Sequence, residues 1–153
     1  MSTSSCPQCE GERACGGYHV YVVELSEEVA GQGPFATMRP DPVRGGGYYY
    51  VGSTRHAPAC RLAQHQAFAR GESGFECGCF GDGEPVWRVF VGQGEAGAPG
   101  GTRGNRWAGE FGIGLVWRRY RAWNPLPDRA AAEAKEREIA QDLRDAGHAA
   151  YSA

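Results

Sequence analysis

Short runs of apolar and aromatic residues alternate along this chain with Gly- and Pro-rich segments. Residues 18–25 are rich in β-branched and aromatic side chains, which predicts a strand buried on both faces. Residues 48–52 predict a second strand, paired with the first as a hairpin. The Gly and Pro residues of segment 26–47 sustain neither regular period, so we expect a long connection between the two strands.

Two helices are predicted from their end signals and their periodicity. The first covers residues 57–70, with Ser53 or Thr54 as its cap and Gly71 just beyond its last turn. The second starts at the capping Asp128 and continues to about residue 146. Both are long enough to cover part of a small sheet.

The rest of the chain is less regular. Residues 72–85 are Gly- and Cys-rich and predict a loop, residues 86–91 predict a third strand, and residues 92–104 predict a loop that buries little. A short helix over 106–111 and a strand over 113–117 follow. The last six residues, from His148, are compatible with an extended conformation.

The overall composition is that of one globular domain: 153 residues, 41% hydrophobic and 22% charged. We expect a polar Cys/Gly-rich arm over 1–17 and a single domain over 18–153. The N-terminal segment has neither a basic start nor an apolar run, so we expect a cytoplasmic protein without membrane association. The net charge of −2 argues against a protein that coats nucleic acid non-specifically.

Four of the six cysteines have a spacing that suggests metal binding. Cys6 and Cys9 are separated by two residues, as in a zinc knuckle, and Cys77 and Cys79 offer a second, tighter pair. Together they would complete a tetrahedral structural Zn²⁺ site, with reduced free thiols as the alternative.

Glu136 lies in the apolar stripe of the last predicted helix. Ala132, Ile139 and Leu143 share its face at spacings of three and four residues, whereas Glu133 and Glu138 point elsewhere and are expected to be solvated. A carboxylate that faces a core must be paired, protonated or metal-bound. The sequence leaves two explanations equally open, a salt bridge to an Arg and a metal ligand.

Four other polar residues precede Glu136 in a characteristic order. Tyr21 lies in the first strand, Tyr50 lies in the second and is followed by Val-Gly, and Arg61 and His65 are four residues apart on the first helix. Taken singly, the tyrosines fit ordinary core positions and the Arg and His fit a helix surface. In this order, with Glu136, they resemble the GIY-YIG nuclease superfamily, and the likeness covers most of residues 18–151.

The resemblance implies an α/β (α+β) fold with a small three-stranded antiparallel sheet flanked by helices. It also implies that Tyr21, Tyr50, Arg61 and His65 are catalytic and that Glu136 binds Mg²⁺ or Mn²⁺. Arg61 would clamp a phosphate, and Tyr21 would orient or deprotonate the attacking water with help from His65. Tyr50 would position the phosphate or support Tyr21. The function implied is metal-dependent endonuclease activity, on DNA more than on RNA. His148 stands where the family has an Asn. Tyr18 is a second candidate for the first tyrosine, but strand alternation would place it on the face opposite Tyr21.

Arginines and tryptophans are interleaved between residues 103 and 123, and a surface that contacts nucleic acid would place Arg106, Arg118 and Arg119 on the phosphate backbone. A packed hairpin with a solvated edge explains the same residues. Two alternatives to the nuclease stay open: a catalytically weak GIY-YIG-like module that binds nucleic acid or protein, and an interaction domain stabilised by zinc.

Overall fold

The computed structural model describes residues 17–55, 57–72, 74–77, 86–89 and 105–152. Its strands and helices, in chain order, are β1 (His19–Leu25), β2 (Tyr48–Thr54), α1 (Pro58–Ala69), β3 (Gly74–Cys77), β4 (Val86–Val89), α2 (Arg106–Phe111), β5 (Gly112–Leu115), α3 (Arg129–Asp145) and β6 (Ala149–Ser152). The chain is therefore α+β. Among the described helices, none has the length and apolar character needed to cross a bilayer.

The main sheet has four strands in the order β5–β1–β2–β6. β1 is antiparallel to both β2 and β5, whereas β6 is parallel to β2. The expectation of three antiparallel strands was thus wrong in the number of strands and in the direction of one. A parallel neighbour requires a crossover connection, and the chain between β2 and β6 supplies one that includes α3.

β1 is central and buried on both faces, as its sequence predicts. Val20, Val22 and Val23 are completely buried, and Glu24 is the one exposed residue of this strand. The hairpin with β2 is confirmed, and it pairs Tyr21 with Gly52. This register fixes which side chains of the two strands share a face.

A side chain completes the edge of β1 where β5 does not reach. β5 pairs with β1 only from Val23 onward. At Val20, the backbone N–H donates to Asn124 Oδ1 at 2.8 Å, and Asn124 Nδ2 donates to the Val20 carbonyl at 2.8 Å. The buried amide therefore replaces the hydrogen bonds of an adjacent strand.

Both long helices form close to the predicted bounds, but they start differently. Ser53 and Thr54 do not cap α1, because both are still in β2; the helix starts instead with Pro58 at its first position. α3 starts as predicted, with Asp128 Oδ1 accepting from the Ala131 N–H at 2.8 Å. α3 packs against β2, β6 and β1, whereas α1 packs mainly against α2.

Two segments differ from the prediction. Residues 86–89 do form a strand, but it pairs with β3 in a separate two-stranded sheet, and β3 occupies part of a segment predicted as loop. The long connection after β1 contains two 3₁₀ turns, one of which buries Phe35 against the rings of Tyr48 and Tyr151. The predicted loop over 92–104 and most of the N-terminal arm lie outside the described residues.

Candidate active site

The two tyrosines lie side by side on one face of the β1–β2 hairpin. Because Tyr21 pairs with Gly52 and Tyr50 pairs with Val23, both side chains project to the same side of the sheet. Their ring centroids are 6.2 Å apart, and both residues are buried. Gly52 is needed for this arrangement, since a Cβ there would overlap the Tyr21 ring.

His65 contacts Tyr21 from α1. Its Nε2 lies 2.7 Å from the Tyr21 hydroxyl, and its Nδ1 accepts a hydrogen bond from the Asn105 backbone N–H at 2.7 Å. Burial and the nearby Arg61 guanidinium lower the pKa of His65 well below its usual value, so the ring is neutral. With Nδ1 occupied as an acceptor, the ring proton resides on Nε2 and is donated to the Tyr21 oxygen.

Arg61 lies one turn before His65 on α1 and is held by a buried neighbour. Its Nη1 donates to Gln64 Oε1 at 2.7 Å, and Gln64 is completely buried. Opposite charge between the guanidinium and a phenolate would lower the pKa of both Tyr21 and Tyr50. Arg61 is thus fixed close to both rings.

Glu136 approaches the same place from α3 and is 6% exposed. Burial raises the pKa of its carboxyl to about 7, a hydrogen bond with Ser53 opposes this rise, and the charge of Glu133 adds to it. Among the described residues, Glu136 forms no ion pair, so the salt bridge offered as its alternative explanation is absent there. A buried carboxyl of this kind is stabilised by protonation, by hydrogen bonds or by a bound cation.

These residues line one pocket of about 490 Å³, with Tyr21, Tyr50, Ser53, Arg61, Glu133, Glu136 and Arg137 on its walls. Four of the five residues singled out from the sequence therefore meet at one cavity, although they come from β1, β2, α1 and α3. The fifth, His65, lies behind the pocket and contacts it through the rings of Tyr21 and Tyr50.

Sequence reasoning missed three members of this pocket. Glu133 was expected to be solvated, and it is exposed. It also lines the pocket, one turn before Glu136 on α3. Ser53 follows Gly52 at the end of β2, and Arg137 follows Glu136 on α3. The i, i+3 spacing of the two glutamates on α3 was the available signal, because such residues are neighbours on a helix surface.

The donor atoms fit a hard divalent cation. Two carboxylates and a hydroxyl, from Glu133, Glu136 and Ser53, are oxygen ligands of the kind that Mg²⁺ and Mn²⁺ prefer. Within the described ranges, no group of three or more His, Cys, Asp or Glu side chains is placed to hold a metal ion. An ion here would therefore keep several water ligands, as Mg²⁺ commonly does.

The pKa of Tyr21 argues against the hypothesis that this residue deprotonates the attacking water. Burial raises it to about 12, although Arg61 and a hydrogen bond with Tyr50 act in the opposite direction. The neighbours thus favour the phenolate without overcoming burial. In the free protein Tyr21 is a neutral phenol, which suits it to orient a water more than to deprotonate one.

The other predicted site residues lie elsewhere. Arg106 pairs with Glu110 at 3.4 Å and stacks on Trp107. Arg118 and Arg119 line a different groove, of about 480 Å³, between the 3₁₀ turns after β5 and α3. The proposed zinc ligands Cys6, Cys9 and Cys79 lie outside the described residues, as does the side chain of Cys77.

Tyr18 and His148 also lie away from the pocket. The Tyr18 ring contacts the guanidinium of Arg55, and His148 packs edge-on against Tyr49.

Comparison of the chain with protein-family models, with curated proteins and with solved structures finds no match.

Proposed function

We propose that this chain is a metal-dependent endonuclease of the GIY-YIG type, which hydrolyses phosphodiester bonds in nucleic acid, with DNA favoured over RNA. The observation that carries the proposal is the meeting of Tyr21, Tyr50, Arg61 and Glu136 at one pocket. Phosphodiester hydrolysis of this type requires a basic side chain for the phosphoryl oxygen, a polar side chain for the water and an acidic side chain for the cation. This pocket brings all three kinds of side chain together.

Arg61 is the phosphate-binding residue in this proposal. Its guanidinium offers a rigid fork of donors that matches two phosphate oxygens. The hydrogen bond to Gln64 Oε1, 2.7 Å long, holds the side chain in position before the substrate arrives. Preorganised positive charge of this kind stabilises the transition state, because negative charge accumulates on the equatorial oxygens.

Glu136 is the metal ligand, with Glu133 and Ser53 as its neighbours. A bound Mg²⁺ or Mn²⁺ would supply positive charge beside the leaving 3′ oxygen and favour ionisation of water. Without a cation, the raised pKa of Glu136 leaves the carboxyl about half protonated near pH 7. The residue is therefore poised to lose its proton when a cation binds.

Tyr21 orients the attacking water, and His65 fixes Tyr21. Since the His65 Nε2–H is donated to the phenol oxygen, the Tyr21 proton is directed away from His65. His65 thus acts as a positioning residue and takes no proton. Tyr50, 6.2 Å from Tyr21 between ring centroids, supports the same wall of the pocket.

One observation favours the alternative of a binding module without turnover. Tyr21 is only 1% exposed, and its pKa is raised to about 12, so a substrate must approach a ring that is closed off and neutral in the free protein. That module would bind nucleic acid through the basic wall of the pocket without cleaving it. The two candidates differ in a single measurable property, which is turnover.

The proposal is tested by incubating the protein with single- and double-stranded DNA and RNA in Mg²⁺ and in Mn²⁺. Glu136→Gln is the informative variant, because it keeps the shape of the side chain and removes its charge. Glu138→Gln is the matched control, since Glu138 is exposed on the same helix and pairs with Lys135. Cleavage by wild type and control but not by Glu136→Gln supports the nuclease; binding without cleavage of any substrate supports the alternative.

A further inference from the structure

A cluster of basic side chains lies around Tyr49, outside the pocket described above. The Arg119 guanidinium stacks on the Tyr49 ring at 5.3 Å, and the His148 ring packs edge-on against it at 5.0 Å between centroids. Tyr49 and Tyr50 are successive residues of β2, so their side chains project to opposite faces of the sheet. The cluster is therefore separate from the Tyr21–Tyr50 pair.

His148 presents an N–H donor to this cluster. Its Nδ1 accepts a hydrogen bond from the Gly47 backbone N–H at 3.0 Å, so the proton of the neutral ring resides on Nε2. Burial lowers the pKa of His148, and the positive charges of Arg119 and Arg44 lower it further. Arg44 comes from the β1–β2 connection, where its stem faces Gly147.

The positive charges of this cluster are not neutralised within the part of the chain that the structure describes. There, neither Arg44 nor Arg119 forms an ion pair, and the buried Nε of Arg119 has no hydrogen-bond acceptor. Two neighbouring carboxylates are Asp41, which accepts from the Val43 N–H, and Asp142, which lines the groove beside Arg119. A third is the exposed Glu24, which lies opposite Tyr49 in the β1–β2 register and forms no ion pair among the described residues. An uncompensated set of donors from three separate segments favours an oxyanion.

We propose that Arg44, Arg119 and His148 form an oxyanion site for a phosphate group, with Tyr49 as the platform that orients the guanidinium of Arg119. Arg119 and the His148 Nε2–H supply directional donors, and Arg44 adds charge from the exposed loop. The phosphate belongs either to a nucleic-acid backbone or to a free phosphate compound. This inference does not depend on the proposed nuclease activity.

The test is an NMR titration of the His148 imidazole, with and without inorganic phosphate at constant ionic strength. A bound oxyanion offsets the two guanidinium groups, so phosphate should raise the pKa of His148. His65 reports on the other pocket, because it contacts Tyr21 and its pKa is lowered by Arg61. A response at His65 without one at His148 would place the phosphate at Arg61 and overturn the proposal. Absence of a response at His148 would overturn the proposal.

Variants show whether the response comes from this cluster. Arg119→Gln should weaken phosphate binding by about tenfold, because it removes a charged hydrogen-bond donor. Arg44→Gln should weaken it less, because it removes only a positive charge at an exposed position. Arg44 is in an exposed loop, so its variant remains informative if Arg119→Gln is poorly folded. Arg129→Gln, an exposed Arg at the start of α3, makes the same change in net charge and should leave binding unchanged.

A second titration with a DNA duplex identifies the source of the phosphate. If DNA and inorganic phosphate both raise the His148 pKa, the site holds the nucleic-acid backbone. If only inorganic phosphate does so, the site holds a free phosphate compound. An undiminished response in the Arg44→Gln, Arg119→Gln double variant would contradict the proposed site in either case.

Discussion

Gly52 lies against the aromatic ring of Tyr21, so close that a Cβ at residue 52 would overlap the phenol. The two residues are direct partners in the antiparallel register of β1 and β2. The Val-Gly that follows Tyr50 therefore has a physical reason: only a residue without a side chain lets Tyr21 lie across β2 toward His65.

Gly52→Ala should displace the Tyr21 ring. We expect a loss of about 1–3 kcal/mol in the free energy of unfolding, since the new methyl group overlaps the buried Tyr21 ring and one of the two must shift. Denaturant unfolding measures this loss. Gly114→Ala, in strand β5, is the matched control, because a Cβ there meets no atom within 4 Å. Equal stability of the two variants would contradict the close packing of Gly52 and Tyr21.

The hydrogen bond between His65 and Tyr21 should appear as an energetic coupling. Both groups are buried, so Tyr21→Phe leaves the His65 Nε2–H without its acceptor, at a cost of about 1–3 kcal/mol. His65→Ala leaves the Tyr21 hydroxyl its hydrogen bond with Tyr50. A double-mutant cycle with Tyr21→Phe and His65→Ala should give a coupling of about 1 kcal/mol or more. Additive losses would show that the two side chains do not interact in solution.

Glu136→Gln should stabilise the protein at alkaline pH. The pKa of Glu136 is raised from 4.5 to about 7, so the folded state holds an extra proton between these values and the free energy of unfolding falls as pH rises through that window. Above about pH 7 the wild type carries the full cost of a buried charge. Gln carries none, so we expect the variant to gain about 1–3 kcal/mol at about pH 8 and less at about pH 5.

The control for this prediction is Glu138→Gln, whose side chain is exposed and should change stability little at any pH. Thermal or denaturant unfolding across the pH range measures both variants. A Glu136→Gln protein that is less stable than wild type at about pH 8 would show that the carboxylate is already well paired.

Asn124→Ala should destabilise the fold far from the pocket. The variant loses both hydrogen bonds to Val20 and leaves a buried N–H and carbonyl without partners, so we expect a loss of about 2–4 kcal/mol. Gln141→Ala, an exposed amide on α3, is the control. Fast amide exchange at Val20 in the variant is the local readout, and unchanged exchange would mean that another group satisfies this edge of β1.

The sequence predicted the local elements well because their patterns are strong. The apolar run of β1, the glycine that follows α1 and the Asp128 cap of α3 each specify structure through neighbouring residues alone. The parallel direction of β6 could not be predicted in that way. It depends on a crossover that no short segment encodes.

The order of residues along the chain was enough to predict part of the candidate site. The contacts that depend on tertiary packing could not be predicted in this way. Tyr21, Tyr50, Arg61 and Glu136 were found from the resemblance, and they do line one cavity. Gln64 and Glu133 each lie three residues from a predicted site residue on the same helix, and that spacing was the available signal. The role of Ser53 depends on contacts between elements, which leave no periodic signal. The raised pKa of Tyr21 was missed for the same reason, because it follows from burial in the assembled fold.

The most direct test of the central claim is the single-turnover rate of phosphodiester cleavage in Mg²⁺ by wild type and by Glu136→Gln, with the unfolding temperature of each recorded in the same buffer. The account predicts that the variant is fully folded at the assay temperature and cleaves at least about 100-fold more slowly. A folded variant that cleaves as fast as wild type would contradict a metal-dependent site at Glu136.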